Sequence, residues 1–409
     1  MKHFGRFYLY FAPLIFLFLT NRVAAHDIES DNEAVGDSVE ISLLTCNPGH
    51  RIYSLYGHTA IRITDRAHDI DLVASYGIFS FDKPFFVLRF VFGLTDYEIG
   101  LTDYPSFEAF YGGHGCGVRQ QVLNLTPDEC ATVIAAIFRN YEPANRVYRY
   151  NYFYDNCTTR ARNIIVGNMR HDVSYDDDGE RPTYRQMVHA YNADYRWMRF
   201  GKDLLLGVMA DVPTDKMQQQ FLPDNLRKAF DGATVTRDDG TTEPFVKASC
   251  RVIPAGESDI KPYSFPLTPI QCAVIFAVLT LIVAATEWRT RRILWLFDVV
   301  VTLITGLSGV VLFAMIFSEH PTVSLNFQIL LLNPLALVFL YTTVKGLRHH
   351  RFGLWLKVWM VLTVLMLVGG LFQHYAEGIR IVALSLLVRY ASLYFLCRNG
   401  GSGSAITKK

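Results

Sequence analysis

The pattern of apolar and polar positions divides the chain near residue 268. Residues 26–268 mix apolar and polar positions over short distances, whereas long apolar blocks separated by short basic clusters follow. A helix needs about 20 apolar residues to cross ~30 Å of hydrocarbon. Five blocks are therefore predicted as membrane spans, at 270–288, 293–317, 327–344, 354–373 and 379–397. The third is the weakest prediction because Asn333-Pro334 interrupts it.

The N-terminus is typical of a signal peptide. Basic residues Lys2 and Arg6 precede an apolar stretch over 7–19, and Val-Ala-Ala then ends at Ala25. Small residues at this spacing favour signal peptidase cleavage, so residues 1–25 are expected to be removed. An uncleaved anchor helix is the alternative.

Basic residues fall in alternate loops of the apolar region. "RTRR" (289–292) separates the first two blocks, "KGLRHHR" (345–351) separates the third and fourth, and Arg398 follows the fifth. Basic loops stay in the cytoplasm, so an odd number of spans places residues 26–268 outside it. A cleaved signal predicts the same side.

The two outward loops carry polar side chains at the edge of the bilayer, where such groups are costly without partners or a function. They are His320 and Asn326 in the first loop and His374, Glu377 and Arg380 in the second. These residues form either ordinary caps and interfacial loops or a lipid headgroup pocket beneath the soluble domain.

Within the soluble region, period-two alternation predicts strands at 38–46, 58–64 and 69–77, with a turn at residues 65–68. The stretches 85–102 and 117–125 are predicted to add strands. "TPDE" (126–129) combines an N-cap, a first-turn proline and a capping-box glutamate, which predicts a helix over 127–141. Further helices are predicted at 157–168, 183–192, 195–210 and 223–231, with a closing hairpin that turns at 238–240.

These elements predict an α+β domain over 26–268, with helices on a mainly antiparallel sheet. An all-α transmembrane domain of about five helices follows over 269–398. The tail at 399–409 contains "GGSGSA", which resembles a flexible linker. We assign it no function.

Composition narrows the class of function. Of 409 residues, 51% are apolar and 19% charged, which exceeds the apolar content of an ordinary soluble protein, and the net charge is +1. Without a basic patch outside the membrane-flanking loops, nucleic acid is not expected as a partner. The histidines lack metal-ligand spacing and no Gly-rich phosphate loop occurs, so no metal or cofactor is expected.

Five cysteines precede the apolar blocks, at positions 46, 116, 130, 157 and 250. In an oxidising compartment up to four could pair, which leaves at least one thiol over. Only Cys157 begins a predicted helix, where the dipole and unpaired N–H groups stabilise a thiolate. Arg160 and Arg162 act in the same direction. A nucleophile is one interpretation of Cys157, and a structural thiol or disulfide is the other.

A thiolate nucleophile needs a base, and His58 is the candidate at the start of a predicted strand. Asp65, Asp69, Asp71 or a tyrosine could orient it. The backbone N–H groups of Cys157 and its successor are candidates for an oxyanion hole.

Two stretches carry a family resemblance, "LLTCNPGHRIYSLYGHTAIRI" (43–63) and "YNYFYDNCTTRARNII" (150–165). With the signal segment, the apolar blocks and the outward stretch 320–334, they resemble the Lnb-type lipoprotein N-acyltransferases of bacteria. The resemblance implies a permuted papain-like or NlpC/P60-like cysteine site, with Cys157 as nucleophile and His58 as base. It further implies supporting or substrate-binding roles for Tyr53, Arg62, Asp155, Asn156, Arg160 and, through a looser match, His320 and Asn326.

The implied reaction moves an acyl chain from a membrane phospholipid to Cys157 as a thioester. The α-amine of the diacylglyceryl-cysteine of a lipoprotein then accepts it, at the periplasmic face of the bacterial inner membrane. The aromatic stretch 80–93 is interpreted either as a bilayer-surface segment that shields the site or as a core strand pair.

Two other classes of function stay open. A membrane-tethered cysteine peptidase or amidase acting on cell-wall peptide would use the same Cys157 and His58, and it predicts a polar open groove. The acyltransferase predicts an apolar groove that faces the membrane. A non-enzymatic lipoprotein-binding protein would hold Cys157 as a structural thiol.

Overall fold

The computed structural model describes residues 39–49, 54–79, 84–256 and 265–402. The predicted signal segment 1–25, Tyr53 and the end of the tail beyond residue 402 lie outside the described residues.

The soluble part is built on an antiparallel sheet, which confirms the predicted α+β class. Seven strands pair in the order β10-β5-β1-β2-β3-β4-β6, and β7, β8 and β9 form a smaller sheet. The strands are β1 (Val39–Cys46), β2 (His58–Asp65), β3 (Ile70–Ile78), β4 (Asp96–Asp103), β5 (Val118–Leu123), β6 (Val147–Arg149), β7 (Val173–Ser174), β8 (Thr234–Thr236), β9 (Thr242–Pro244) and β10 (Val246–Ile253).

Helices cover both faces of the main sheet. They are α1 (Phe86–Val91), α2 (Tyr104–Gly113), α3 (Pro127–Tyr141), α4 (Cys157–Val166), α5 (Tyr184–Tyr191), α6 (Arg196–Leu205), α7 (Lys216–Gln219) and α8 (Pro223–Asp231). Because strand side chains alternate between faces, Leu43 and Ile61 pack with α4, whereas Leu44 and Ala60 belong to the core beside α2. The sheet therefore has a hydrophobic core on each side.

Two local predictions differ from the structure. The strand expected from residue 85 is wrong, because residues 86–91 form α1; an unbroken apolar run does not distinguish the two element types. Helix α2 was not predicted, although Asp103 caps it by accepting from the Ser106 N–H at 2.8 Å. The aspartate N-cap and Pro105 in the first turn are ordinary helix-start signals.

The C-terminal region is helical. Its helices are α9 (Pro269–Thr290), α10 (Trp295–Ile316), α11 (Leu335–Val338), α12 (Leu340–Arg348), α13 (Leu354–Gly369) and α14 (Ile379–Ser402). Within the described residues, α9, α10 and α14 are long and apolar enough to cross a membrane, and 327–348 is one segment bent by 78°. The bend lies at Phe339, between α11 and α12, whereas Asn333-Pro334 directly precedes α11. Helix α13 has 16 residues and rises only about 24 Å.

Buried amide side chains in the outward loops bind the helical region to the soluble domain. Asn326 Nδ2 donates to the Leu204 carbonyl of α6 at 2.7 Å, and its Oδ1 accepts from Gln373 Nε2 at 2.8 Å. Gln328 Nε2 donates to the Asp203 carbonyl at 2.8 Å. Each amide is nearly inaccessible to water, so its hydrogen bonds fix how the two parts dock.

A buried ion cluster joins three helices of the C-terminal region. The Arg389 guanidinium of α14 contacts the carboxylates of Glu287 on α9 and Asp298 on α10, the latter at 2.7 and 3.0 Å. All three side chains are buried. Breaking one partner of such a cluster leaves uncompensated buried charge.

We therefore expect Arg389→Met to destabilise the protein by about 3–5 kcal/mol, because both carboxylates lose their cation. Arg351→Met, at an exposed loop position, is the matched control. Thermal unfolding of the two variants in detergent measures the difference. Equal melting temperatures for Arg389→Met and Arg351→Met would contradict a structural role of the cluster.

Candidate active site

Cys157 is the first residue of α4, and the Asn156 side chain fixes its position. Asn156 Oδ1 accepts from the N–H groups of Thr158 and Thr159, both at 2.9 Å. Asn156 Nδ2 donates to the Phe221 carbonyl at 2.9 Å, which anchors the cap to the loop before α8. The predicted motif residue Asn156 is thus the N-cap that presents Cys157 at a helix N-terminus.

The same cap corrects the predicted oxyanion hole. The N–H of Thr158 is bonded to Asn156, so it is not available to stabilise an oxyanion, and that half of the prediction is wrong. The Cys157 N–H makes no hydrogen bond to another described residue. One backbone donor, the Cys157 N–H, therefore remains beside the Cys157 sulfur.

His58 begins β2 and lies opposite Cys46 of β1 in the strand register. Gly57 precedes it with φ of 78°, and a Cβ there would stand 2.4 Å from the Cys46 carbonyl oxygen. Only glycine fits that turn. The imidazole acts on the Cys157 thiol through its charge and its polar side chain, and both effects lower the pKa of that thiol.

The electrostatics of Cys157 favour the thiolate. Burial is the largest single effect and raises the pKa of the thiol, but the effects of His58, Thr59 and Thr158 together outweigh it. The net pKa lies below the ordinary value. Thr59 Oγ1 and Thr158 Oγ1 lie 3.1 Å apart and join β2 to the first turn of α4. A thiolate beside an imidazolium is a nucleophile next to a proton donor.

None of the predicted aspartates orients His58. Asp65 lies seven residues along β2, about 23 Å away at 3.3 Å per residue, and binds His68 at 2.7 Å. Asp71 forms an ion pair with Arg62, and Asp69 is an exposed turn residue. The tyrosine alternative fits better, as described next.

Tyr111 of α2 is the aromatic residue beside His58. The two rings are nearly parallel with centroids 6.4 Å apart. Burial raises the pKa of Tyr111, which also shares a hydrogen bond with Cys46. Tyr111 therefore packs along the imidazole and ties it to β1. Its position depends on the packing of α2 on the sheet, which the sequence pattern did not predict.

All seven cysteines lie in the described part of the chain, and all are free. The disulfides considered from the cysteine count are therefore not formed. Burial raises the pKa of both Cys46 and Cys116. Cys157 differs from these two neighbours because its pKa is lowered.

Arg62 lies away from Cys157 and holds the sheet together. Its guanidinium binds Asp71 through two contacts at 2.6 and 2.7 Å, donates to Gln120 at 2.8 Å and lies 3.4 Å from the ring centroid of Tyr104. These contacts link β2, β3 and β5 to α2. The structure thus places this motif residue in the scaffold.

Asp155 and Arg160 form an ion pair that stabilises the turn before Cys157. Arg160 donates twice to the Asp155 carboxylate, both at 2.7 Å, and its guanidinium lies 3.6 Å from the ring centroid of Tyr148. The pair connects the turn before Cys157 to α4. Its geometry indicates a positioning role.

A row of aromatic rings leads away from Cys157. We call Tyr150, Tyr97, Phe79, Phe86 and Phe90 the aromatic row. Successive ring centroids are 4.1, 4.9, 5.7 and 6.5 Å apart. Burial and the nearby Cys157 raise the pKa of Tyr97 to about 12. Tyr150 and Cys157 pack against the core to which Tyr97 belongs.

The predicted membrane-loop residue His320 lies at the far end of the aromatic row. Its ring centroid is 6.1 Å from that of Phe90, and burial lowers its pKa. Asn326 instead belongs to the amide network described above. Of the two predicted loop residues, only His320 contacts the aromatic row.

The remaining outward polar groups mostly bind neighbouring parts of the chain. Glu377 pairs with Arg199 at 3.4 Å, and the His374 N–H donates to Asp211 at 2.9 Å. An open cavity of about 230 Å³ lies beside them, lined by Asp211, Gly370, Leu371, Phe372, Gln373, His374 and Arg380. The outward loops therefore bind the soluble domain, and they also border a polar cavity.

Lys202 is a residue near the site that the sequence did not indicate. Its Nζ donates at 2.5 Å to the hydroxyl of Tyr56, two residues before His58. Burial lowers the pKa of Lys202 to about 8 and raises that of Tyr56 to about 12. The contact joins α6 to the turn that carries the histidine.

The turns that precede His58 and Cys157 adjoin the helical region. Tyr56 and Phe153 share one hydrophobic cluster with Met315 of α10 and Val323 of the outward loop. The site therefore lies on the side of the soluble domain that contacts the membrane helices. The described residues contain no cluster of three or more His, Cys, Asp or Glu able to hold a metal ion.

Comparison with known families identifies both parts of the chain. A family model described as the Lnb N-terminal periplasmic domain matches residues 29–190. A second, described as the Lnb transmembrane domain, matches residues 260–399. No match was found among curated proteins or among solved structures.

The His58–Cys157 contact predicts the alkylation behaviour of the thiol. A lowered pKa keeps the thiolate present to lower pH, so Cys157 should react with iodoacetamide at neutral pH and lose reactivity as pH falls through that pKa. His58→Ala should shift this profile to higher pH, because only the weaker effects of Thr59 and Thr158 then oppose burial. Peptide mass spectrometry across pH measures the shift, with exposed Cys250 as the internal reference. An unchanged profile for Cys157 would exclude the proposed pair.

The cap also predicts a specific defect in Asn156→Ala. Loss of the cap should cost about 1–2 kcal/mol and slow alkylation of Cys157, since the helix N-terminus no longer holds the sulfur in place. Thr183→Ala removes a comparable cap from α5 and should leave Cys157 reactivity unchanged. Equal alkylation rates in both variants would argue against this role.

Proposed function

The chain belongs to the Lnb family, and on this premise we propose that it is a lipoprotein N-acyltransferase. The family membership makes the chain a membrane protein with a periplasmic part and a lipoprotein-modifying enzyme. The acyl donor is a membrane phospholipid. The acceptor is the α-amine of the N-terminal diacylglyceryl-cysteine of a lipoprotein. The reaction takes place on the periplasmic side of the inner membrane.

The observation that carries this proposal is the aromatic row. It runs from the surroundings of Cys157 to Phe90 and His320 at the membrane loop, through rings that offer few polar groups. A phospholipid acyl group that reaches Cys157 needs an apolar surface of this kind. A peptidase acting on cell-wall peptide needs a polar open cleft, so the row favours acyl transfer.

The first step is attack of the Cys157 thiolate on the ester carbonyl carbon of the phospholipid. A sulfur–carbon bond forms, and the ester carbon–oxygen bond breaks. The His58 imidazolium gives its proton to the departing lysophospholipid oxygen. The lowered pKa of Cys157 and the part of His58 in lowering it support these roles.

The second step transfers the acyl group to the lipoprotein. Its α-amine attacks the thioester carbon, the sulfur–carbon bond breaks, and neutral His58 accepts the proton of the amine. The thiolate and imidazolium are then restored. Both substrates are held in the bilayer, which matches a site packed against the membrane helices.

The proposal predicts a covalent acyl-enzyme. The purified full-length protein, incubated with phospholipid and without acceptor, should gain the mass of one acyl chain that hydroxylamine removes. Cys157→Ser should lack this labile adduct, and His58→Ala should form it far more slowly. Cys250→Ser, at an exposed strand position, is the control and should react as the parent does. Intact-mass spectrometry measures each outcome.

Two results would contradict the proposal, each in a different way. If lipoprotein N-acylation proceeded without any adduct on Cys157, the thioester mechanism would be wrong. If the protein instead cleaved cell-wall peptide in the absence of lipid, the peptidase alternative would replace the acyltransferase.

A further inference from the structure

We propose that Phe86 and Phe90, the outer rings of the aromatic row, bind the acyl chain that Cys157 receives, and that the exposed side of α1 is where this chain leaves the bilayer. This inference rests on the proposed function and assigns the part of the protein that recognises the lipid tail. The ligand class is a hydrocarbon chain ester-linked to glycerol.

The two ends of the row are in the right places. Gly77 lies between Cys157 and Tyr150, since a Cβ there would stand 3.4 Å from the Cys157 Cβ and 4.0 Å from a ring carbon of Tyr150. At the other end, Phe90 belongs to α1, and α1 is fastened to the loop that follows α10. Ser318 Oγ donates to the Val91 carbonyl at 2.9 Å, and the Glu319 N–H donates to the Phe92 carbonyl at 3.0 Å. The row therefore connects the nucleophile with the end of a membrane helix.

The outer side of α1 is unusually apolar for a surface in water. Phe85 is 78% exposed and Leu88 56% exposed, and Phe317 at the end of α10 is 65% exposed. Large exposed apolar side chains that adjoin a membrane-spanning helix mark a surface that contacts lipid. This continuity with α10 identifies hydrocarbon, rather than a protein partner, as the occupant.

The charged side chain of α1, Arg89, is occupied by contacts within the protein. The Arg89 guanidinium donates to the Leu94 carbonyl at 3.1 Å and to Asp96 at 3.0 Å. Arg149 binds both Asp96 and Glu319 at 3.0 Å, so one ion-pair chain ties α1, β6 and the membrane loop together. The charges thus fix the helix in place and leave its apolar side to the lipid.

A chain-length comparison tests this assignment. The full-length protein in detergent micelles is given dipalmitoyl or dihexanoyl phosphatidylethanolamine, and the rate of acyl-Cys157 formation is followed by intact mass. Affinity for an apolar surface grows with each buried methylene, so the parent should prefer the long-chain donor. Phe86→Ala and Phe90→Ala should each reduce that preference by about tenfold, because the dipalmitoyl rate falls more than the dihexanoyl rate.

Phe138→Ala is the matched control, because Phe138 is an exposed phenylalanine on α3. It should leave the chain-length preference unchanged. Equal loss of both rates in Phe86→Ala and Phe90→Ala, or an unchanged preference, would overturn the assignment.

A second measurement separates failure of this inference from failure of the proposed function. Cys157→Ser, which cannot form the thioester, is irradiated with a phospholipid that carries a diazirine at the end of one acyl chain. Cross-links should map to peptides covering 84–97 and not to 127–141. A parent enzyme without any adduct on Cys157 would refute the acyltransferase, whereas cross-links spread evenly over both peptides would refute the acyl-chain surface.

Discussion

The structure depends on the buried amides that fasten the soluble domain to the membrane helices. Asn326, Gln328 and Gln373 exchange hydrogen bonds with one another and with backbone carbonyls of residues 203–206. A buried amide that loses its partners costs free energy, so a shifted docking arrangement would leave several groups unsatisfied. This requirement selects one relative position of the two parts. It thereby sets the height of the site above the helices.

The geometry of the site follows from that docking. Tyr56 and Phe153, in the turns that precede His58 and Cys157, belong to one hydrophobic cluster with Met315 and Val323. Gly57 directs one turn to His58, and Asn156 caps the helix that begins with Cys157. His58 and Cys157 therefore belong to the sheet and its helix α4, while their surroundings belong partly to the first outward loop. Neither part builds this environment alone.

Local signals explain which predictions were confirmed. Period-two alternation located β1, β2 and β3, and the capping signals at 126–129 located α3, because each depends on neighbouring residues only. The run over 86–91 was misassigned because a short apolar run is compatible with a strand or a helix, and its Leu88 and Phe90 are in fact exposed. The roles of Cys157 and His58 rest on helix-start and motif signals and stay predictions. Tyr111 and Lys202 lie near the site because segments that are distant in the sequence pack together, and the spacing of residues in the sequence does not predict such contacts.

The surroundings of Cys157 bear on the choice between amine and water as acceptor. Burial keeps the nearby hydroxyls protonated, as the raised pKa of Tyr97, about 12, and the raised pKa of Tyr150 indicate. These phenols cannot act as bases at neutral pH. His58 is then the group in contact with the sulfur that can take a proton, so any attacking molecule must approach the thioester beside it. An acyl chain lying on the aromatic row would cover the other approach and exclude water from it. Under the proposed mechanism, preference for transfer over hydrolysis thus follows from the lipid itself completing the walls of the site.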